Sequence, residues 1–233
     1  TNESEDPISL SQYLEKMPDT QKEIYYISAE TRTQALASPH LEGFKSKNIS
    51  VLIMTDAIDQ FWLPMIGSFK EKKFTSITQG KINLDELDSK NKDKKDKSND
   101  VKDKLDKEYV DLIAQLKVVL GDQVKDIRLS SKLTDSPVCL VADEGDMDIA
   151  MEQLMAQRDS NYKGAPRILE INGDHSLIKN MKSLLSKKES NDLVSDAGTL
   201  LFEQARLMEG KMPADPAQFS KIMNQFLLKA IPN

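Results

Sequence analysis

The sequence predicts a mixed fold, α/β in its first part and α+β in its second. A small, largely parallel sheet covered by helices comes first, and a helix-rich part with a few strands follows. Three observations predict this. Residues 1–88 alternate short, continuously apolar runs with amphipathic ones, as strands buried on both faces and their covering helices do. A run of lysine and aspartate then interrupts all periodicity. From His175 onward three helical patterns follow one another with no strand between them.

The elements before the charged run follow in order. Ser9 with Gln12 reads as a capping box opening a helix over 10–17. Residues 23–28, with Ile-Tyr-Tyr-Ile at their centre, read as a strand. Ser38 is an N-cap and Pro39 suits a first helical turn, so a helix is expected over 39–47, ended by Asn48 in a left-handed conformation. Residues 50–55 form an apolar strand around Val-Leu-Ile-Met. Residues 56–68 form a helix whose apolar members are Ile58, Phe61, Trp62, Met65 and Ile66, with Pro64 kinking or shortening it. Residues 74–78 are the last strand of this part.

Residues 89–107 hold eight Lys, five Asp and two apolar residues. Such a composition cannot bury enough surface to offset its ordering entropy. A linker or loop is expected over 89–104, with entry into a helix at its end; a solvated charged helix is the alternative. The chain thus divides into 1–88, the segment 89–104, and 105–233. Leu105, Tyr109, Leu112, Ile113, Leu116 and Leu120 fall on one helical face, and Gly121 ends it. Strands are expected over 124–129, 137–142 and 167–171. A methionine-rich helix over 146–158 lies between the last two. Helices over 175–188, 191–209 and 216–230 complete the chain.

At 233 residues the chain is long enough for two domains with separate cores. Charged residues at 30% and hydrophobic residues at 39% suit a water-soluble protein. No apolar run approaches a bilayer span, so no membrane role is expected. A net charge of −6 argues against a nucleic-acid footprint, which requires a basic excess. The single cysteine, Cys139, leaves no internal disulfide framework and suits a reducing compartment. The chain begins at Thr1 rather than Met and is expected to be an excised piece of a longer protein.

Few residues suggest bond-making chemistry. Cys139 with His175 could form a thiol and its base. However, Cys139 sits in an apolar strand, where a thiol behaves as a small hydrophobe, and His175 sits at a helix start. Two histidines, His40 and His175, and no His/Cys pair at ligand spacing give no metal site. Asp143, Glu144, Asp146 and Asp148 lack the twelve-residue pattern of a calcium loop and suit a helix N-terminus instead. Met147, Ala150, Met151, Leu154 and Met155 form one apolar stripe at helical spacing. Its ordinary reading is core. Methionine is nevertheless flexible and polarisable, and is over-used on surfaces that accept many partners.

Two segments carry a family resemblance. They are Leu133-Thr134-Asp135-Ser136-Pro137-Val138-Cys139-Leu140-Val141 and Ile168-Leu169-Glu170-Ile171-Asn172-Gly173-Asp174-His175-Ser176-Leu177-Ile178. Four shorter pieces support them in order: 9–14, 24–27, 38–42 and 55–59. Together they resemble the C-terminal part of the ATP-driven ninety-kilodalton heat-shock chaperones of the bacterial HtpG type. Residues 1–88 look like the last subdomain of the family's middle domain, and residues 105–233 like its dimerisation domain. Lys132 departs from an arginine common in the family; it keeps the charge and loses the bidentate fork.

The resemblance implies a molecular chaperone part that is not itself an enzyme. The family's ATP and magnesium site lies in an N-terminal domain, and its catalytic arginine lies earlier in the middle domain, so this chain is expected to hold no cofactor. The chain ends without the acidic tail by which eukaryotic members recruit helical-repeat co-chaperones, pointing to a cytoplasmic bacterial or organellar member. Non-native client proteins are expected to contact Met147, Met151, Leu154 and Met155, with Phe61 and Trp62 as a second element facing the same cleft. The last two helices are expected to form an intermolecular four-helix bundle in a homodimer, through Leu193, Ala197, Leu200, Leu201, Gln204, Leu207 and Met208 on one and Phe219, Ile222, Met223, Phe226, Leu227 and Ala230 on the other. The alternatives are a purely structural dimerisation scaffold without client contact, and a hydrolase using Cys139.

Overall fold

The computed structural model describes residues 1–84, 95–159, 162, 164–186 and 191–231, with the backbone alone at 95–106 and 186. The chain forms two compact units that interleave in sequence. The first gathers Thr1–Ser98, Ser131–Asp135 and Val141–Ala165; the second gathers Asn99–Ser130, Ser136–Leu140 and Pro166–Asn233. Residues 131–135 and 141–165, which follow the charged segment, therefore group with residues that precede it.

The first unit is built on a four-stranded sheet of β1 (Glu23–Ser28), β2 (Leu52–Met54), β3 (Ser68–Phe69) and β4 (Lys72–Ser76), in the order β2-β1-β4-β3. β1 is parallel to both β2 and β4, and β3 returns antiparallel on β4. A parallel strand needs both faces covered, and β1 meets this with Ile24, Tyr25, Tyr26 and Ile27 all buried. On one face Tyr25 and Ile27 pack with Phe44, Val51 and Ile77, and Tyr25 meets Phe44 edge-on. On the other, Ile24 and Tyr26 pack with Tyr13, Leu63 and Phe74.

Helix α1 (Leu10–Lys16) opens with the expected capping box: Gln12 N–H donates to Ser9 Oγ at 3.2 Å, and Ser9 N–H to Gln12 Oε1 at 2.8 Å. Tyr13 anchors it by donating to the Ser50 carbonyl at 2.7 Å. Two small elements were not expected: α2 (Arg32–Leu36), capped by Thr31, and β3, which turns through Lys70 and Glu71 at positive φ. The helix expected over 39–47 divides into a 3-10 turn, Pro39–Leu41, and α3 (Glu42–Ser46). The helix expected over 56–68 shortens to α4 (Asp59–Ile66), with Pro64 inside it.

Most of α5 (Lys95–Leu120) belongs to the second unit, which starts at Asn99. Of the linker expected over 89–104, residues 89–94 lie outside the described residues, whereas 95–104 have helical backbone. Strands β5 (Val124–Leu129), β6 (Val138–Val141) and β7 (Arg167–Ile171) form a sheet in the order β5-β7-β6, with β5 parallel to β7. Between β6 and β7 the chain makes α6 (Ile149–Arg158), and after β7 it makes α7 (Ser176–Ser186), α8 (Asn191–Met208) and α9 (Pro216–Ala230). Tyr109, Leu112, Leu116 and Leu120 of α5 pack on the sheet and on Val194, Leu201 and Phe202 of α8. Glu170, buried in β7, is held by Arg128 at 2.8 Å and Ser130 at 2.9 Å, so its charge is paired. The fold is mixed α/β throughout, with small sheets. Among the described residues no helix is long and apolar enough to cross a membrane.

Two expectations follow. A Cβ at Gly43 would lie 2.6 Å from the Lys132 carbonyl oxygen and 2.7 Å from Leu84 Cδ1. Gly43→Ala should therefore cost about 1–2 kcal/mol through overpacking, although alanine is worth ~1 kcal/mol more than glycine in a helix. Urea unfolding followed by the fluorescence of the single tryptophan, Trp62, measures this, and a net gain would refute the contact. The second concerns Tyr26, whose phenol is pushed up to about 12, first by burial and then by the nearby Asp148 charge. The folded state thus keeps a proton that the unfolded chain loses near pH 10. Stability from this group is complete below about pH 10 and is lost as pH rises toward 12, by on the order of 1–2 kcal/mol. Tyr26→Phe should flatten that part of the alkaline unfolding profile.

Candidate functional site

The first unit contains a cavity of about 550 Å³. Tyr26 and Phe74 from the sheet, Leu63 and Pro64 from α4, and Met147 and Met151 at the start of α6 supply its apolar lining, while Glu23, Lys73, Lys81, Glu144 and Asp146 supply charge. Its lining is mixed, eleven of twenty residues being polar or charged, and its size is that of a ligand site.

Backbone pairing places the methionines there. Ala142 N–H donates to the Thr78 carbonyl at 2.9 Å, and Gly80 N–H donates to the Ala142 carbonyl at 2.8 Å. This parallel bridge extends the first unit's chain beyond β4. Gln79 then donates its side-chain amide to the carbonyls of Asp146 at 2.7 Å and Glu144 at 3.2 Å. The turn so held delivers Asp148 as the N-cap of α6, its Oδ1 accepting from Ala150 N–H at 2.9 Å. Glu152, buried on the same helix, accepts the N–H of Ala165 at 3.1 Å and ties down the chain leaving α6.

The methionine stripe divides between core and surface. Ile149 and Ala150 are buried; Met151, Leu154 and Met155 are half-buried; Met147 is 40% exposed. On α4, Phe61 and Trp62 are half-buried, and neither lines the cavity. Trp62 packs edge-on against Phe74 with ring centroids 5.9 Å apart, and its indole N–H donates to Asp59 at 2.7 Å. The apolar residues that α4 leaves exposed are Ile58, Met65 and Ile66. As site residues Leu63, Pro64 and Asp148 are missed by the sequence reading, which gives Pro64 only as a kink and Asp148 only as part of a helix N-terminus. Asp148 alone carried a signal, as an acidic residue directly before the methionine-rich helical period.

In the second unit α8 and α9 carry the other group of candidates. Ala197, Leu201 and Ile222 are buried within the unit, and Leu193, Leu200, Phe219 and Phe226 are half-buried. Gln204, Leu207, Met208, Met223, Leu227 and Ala230 are exposed, Met223 at 40% and Leu227 at 48%. Helix α9 thus has two apolar faces: Ile222 and Phe226 turn inward, whereas Met223, Leu227 and Ala230 meet solvent. Asp215 caps this helix, accepting Gln218 N–H at 2.9 Å, and Pro216 fills its first turn as expected.

Cys139 is buried in β6, where the thiol faces Glu170 Oε2 at 3.9 Å. His175 Nδ1 accepts the N–H of Leu177 at 3.1 Å and caps the start of α7. Lys132 is buried and donates to the Ile77 carbonyl at 2.9 Å. Among the described residues no group of three or more His, Cys, Asp or Glu could hold a metal ion.

Comparison with known proteins places this architecture. A family model described as Hsp90 protein matches residues 1–232. The chain is 39% identical over 234 residues to the chaperone protein HtpG of Roseobacter denitrificans, an alignment covering 99% of this chain and 37% of that protein. It is 38% identical to the HtpG of Wolbachia pipientis wMel, over 95% of this chain and 34% of that protein. It is 35% identical to the HtpG of Streptomyces coelicolor, over 96% and 34%. The chain spans about a third of the length of these curated relatives. A match along nearly every residue, carried by segments that build both compact units, means that the chain belongs to the Hsp90 protein family.

Proposed function

We propose that this chain is the C-terminal part of an HtpG-type molecular chaperone, combining the end of the middle domain with the dimerisation domain. Its work is to join two protomers and to bind non-native client proteins. The parent is a cytoplasmic chaperone whose ATP and magnesium are bound in an N-terminal domain outside this chain, and whose catalytic arginine also lies outside it. This part accordingly turns over no nucleotide and needs no cofactor, nucleic acid or membrane. The observation that carries the client reading is the cavity, where Met147 and Met151 meet an apolar lining from α4 and the sheet. Non-native chains expose large apolar side chains, and flexible methionines accept many shapes of them. The alternative, a dimerisation scaffold without client contact, is favoured by the half-burial of Met151, Leu154 and Met155.

The homodimer reading rests on the outer face of α9. Met223 and Leu227 stand four residues apart on a well-formed helix and are 40% and 48% exposed. Fully burying such a side chain is worth ~1.5–3 kcal/mol, and a two-fold axis counts each one twice. That sum competes with an association cost on the order of 4–15 kcal/mol. Pairing α8 and α9 across the axis gives an intermolecular four-helix bundle.

Two experiments test these readings. Met147→Ser with Met151→Ser should weaken the suppression of aggregation of a denatured substrate protein at least severalfold. Unchanged suppression would favour the scaffold. Met223→Glu with Leu227→Glu should shift sedimentation at micromolar protein from dimer to monomer. Leu201 is unsuitable for this purpose, because it belongs to the unit's core and its loss would unfold the chain. A wild-type chain that sediments as a monomer would overturn the homodimer.

A further inference from the structure

Asp148 divides its carboxylate between two elements. Oδ1 closes the first turn of α6 through Ala150 N–H. Oδ2 accepts Ser76 Oγ at 2.5 Å and Thr78 Oγ1 at 2.8 Å, at the end of β4 and just past it. The two hydroxyl oxygens approach each other at 2.9 Å. Each carries one proton, so with both protons given to Asp148 that approach is packing rather than a third bond. Ser76 and Thr78 are buried. Bonds to a charged acceptor are shorter and stronger than neutral ones, and buried hydroxyls that lose their acceptor keep the desolvation penalty. Residues immediately beside Asp148 in the chain, Met147 and, three positions on, Met151, line the cavity, as do Ser76 and Asp148 themselves.

We propose that Asp148 is the positioning residue of this cavity: its carboxylate fixes the methionine-bearing start of α6 to the end of β4 and so sets the space open to an apolar side chain. The geometry stands without any ligand. Its consequence for client binding rests on the reading proposed above. Two roles are combined in one side chain, and they can be separated. Ser76→Ala with Thr78→Val removes the tie to β4 and leaves the helix cap intact. Asp148→Ala removes both. Asp148→Asn keeps an oxygen for Ala150 N–H, and its amide can donate to hydroxyls that have turned round, so it should restore much of what Asp148→Ala loses.

The test places a reporter thiol at Met151→Cys; the native Cys139 is buried. Labelling by a water-soluble maleimide should be at least tenfold faster with Ser76→Ala/Thr78→Val or with Asp148→Ala than in the parent protein, and close to the parent with Asp148→Asn. Adding Asp148→Ala to the Ser76/Thr78 pair should give no further gain in labelling. Hydrogen exchange supplies the control: amides of β1 should keep their protection in every variant. Labelling that does not respond to any of the three changes would overturn the proposal. So would an equal loss of protection throughout the unit in Asp148→Asn and Asp148→Ala alike, because the carboxylate would then hold the whole fold rather than position one wall. Faster labelling with unchanged suppression of aggregation would leave the latch standing and refute client binding at the cavity.

Discussion

Two backbone hydrogen bonds, from Ala142 N–H to the Thr78 carbonyl and from Gly80 N–H to the Ala142 carbonyl, bring residues 141–165 back to the sheet formed by the first part of the chain. Everything about the cavity depends on this pairing. Without it Met147 and Met151 would start an ordinary amphipathic helix elsewhere. With it they share a lining with Tyr26, Leu63 and Phe74. The pairing is reinforced by the Gln79 amide on the carbonyls of the 144–146 turn and by Asp148 on Ser76 and Thr78. Polar bonds therefore hold Met147 and Met151 against a mixed lining, and the methionines are not themselves the fastening.

The second unit faces a different constraint. Helix α8 buries Val194, Ala197, Leu201, Phe202 and Ala205 against α5 and the sheet. Gly198 lets α5 approach so closely that a Cβ there would lie within 2.4 Å of Leu116 Cδ2. Helix α9 has less to bury against. Of its residues only Ile222 is fully buried, and its stripe of Met223 and Leu227 leaves apolar surface exposed. That exposed apolar stripe is the surface the proposed dimer would cover.

Much of this was legible in the sequence because it is local. The Ser9–Gln12 capping box, the strands over 23–28 and 124–129, and the Asp215-Pro216 start of α9 all depend on neighbours within four residues. The short elements α2 and β3 were missed because five and two residues carry too little periodicity to read. The helix expected over 39–47 divides after Leu41, where Glu42 N–H donates to the Pro39 carbonyl in a 3-10 pattern that propensity does not register. Residues 95–104 read as linker because their composition lacks an apolar periodicity, yet their backbone is helical. The cavity was only half legible. Met147 and Met151 stood out by residue type, and α4 by its aromatics. Which side of α4 lines the cavity depends on tertiary packing: Trp62 is committed to Phe74, leaving Leu63 and Pro64 to do so. Asp148 looked like one acid of several, since its partners Ser76 and Thr78 lie some seventy residues away.

The most direct test of the central claim, that the methionine-lined cavity receives non-native chains, is methyl NMR of the methionine-labelled protein titrated with a permanently unfolded polypeptide. The Met147 and Met151 methyl signals should shift or broaden as the polypeptide is added, while Met181, buried in the second unit's core, should not. Unmoved Met147 and Met151 signals, with changes confined to Met208, Met212 and Met223, would contradict the claim and place binding on the exposed end of the second unit.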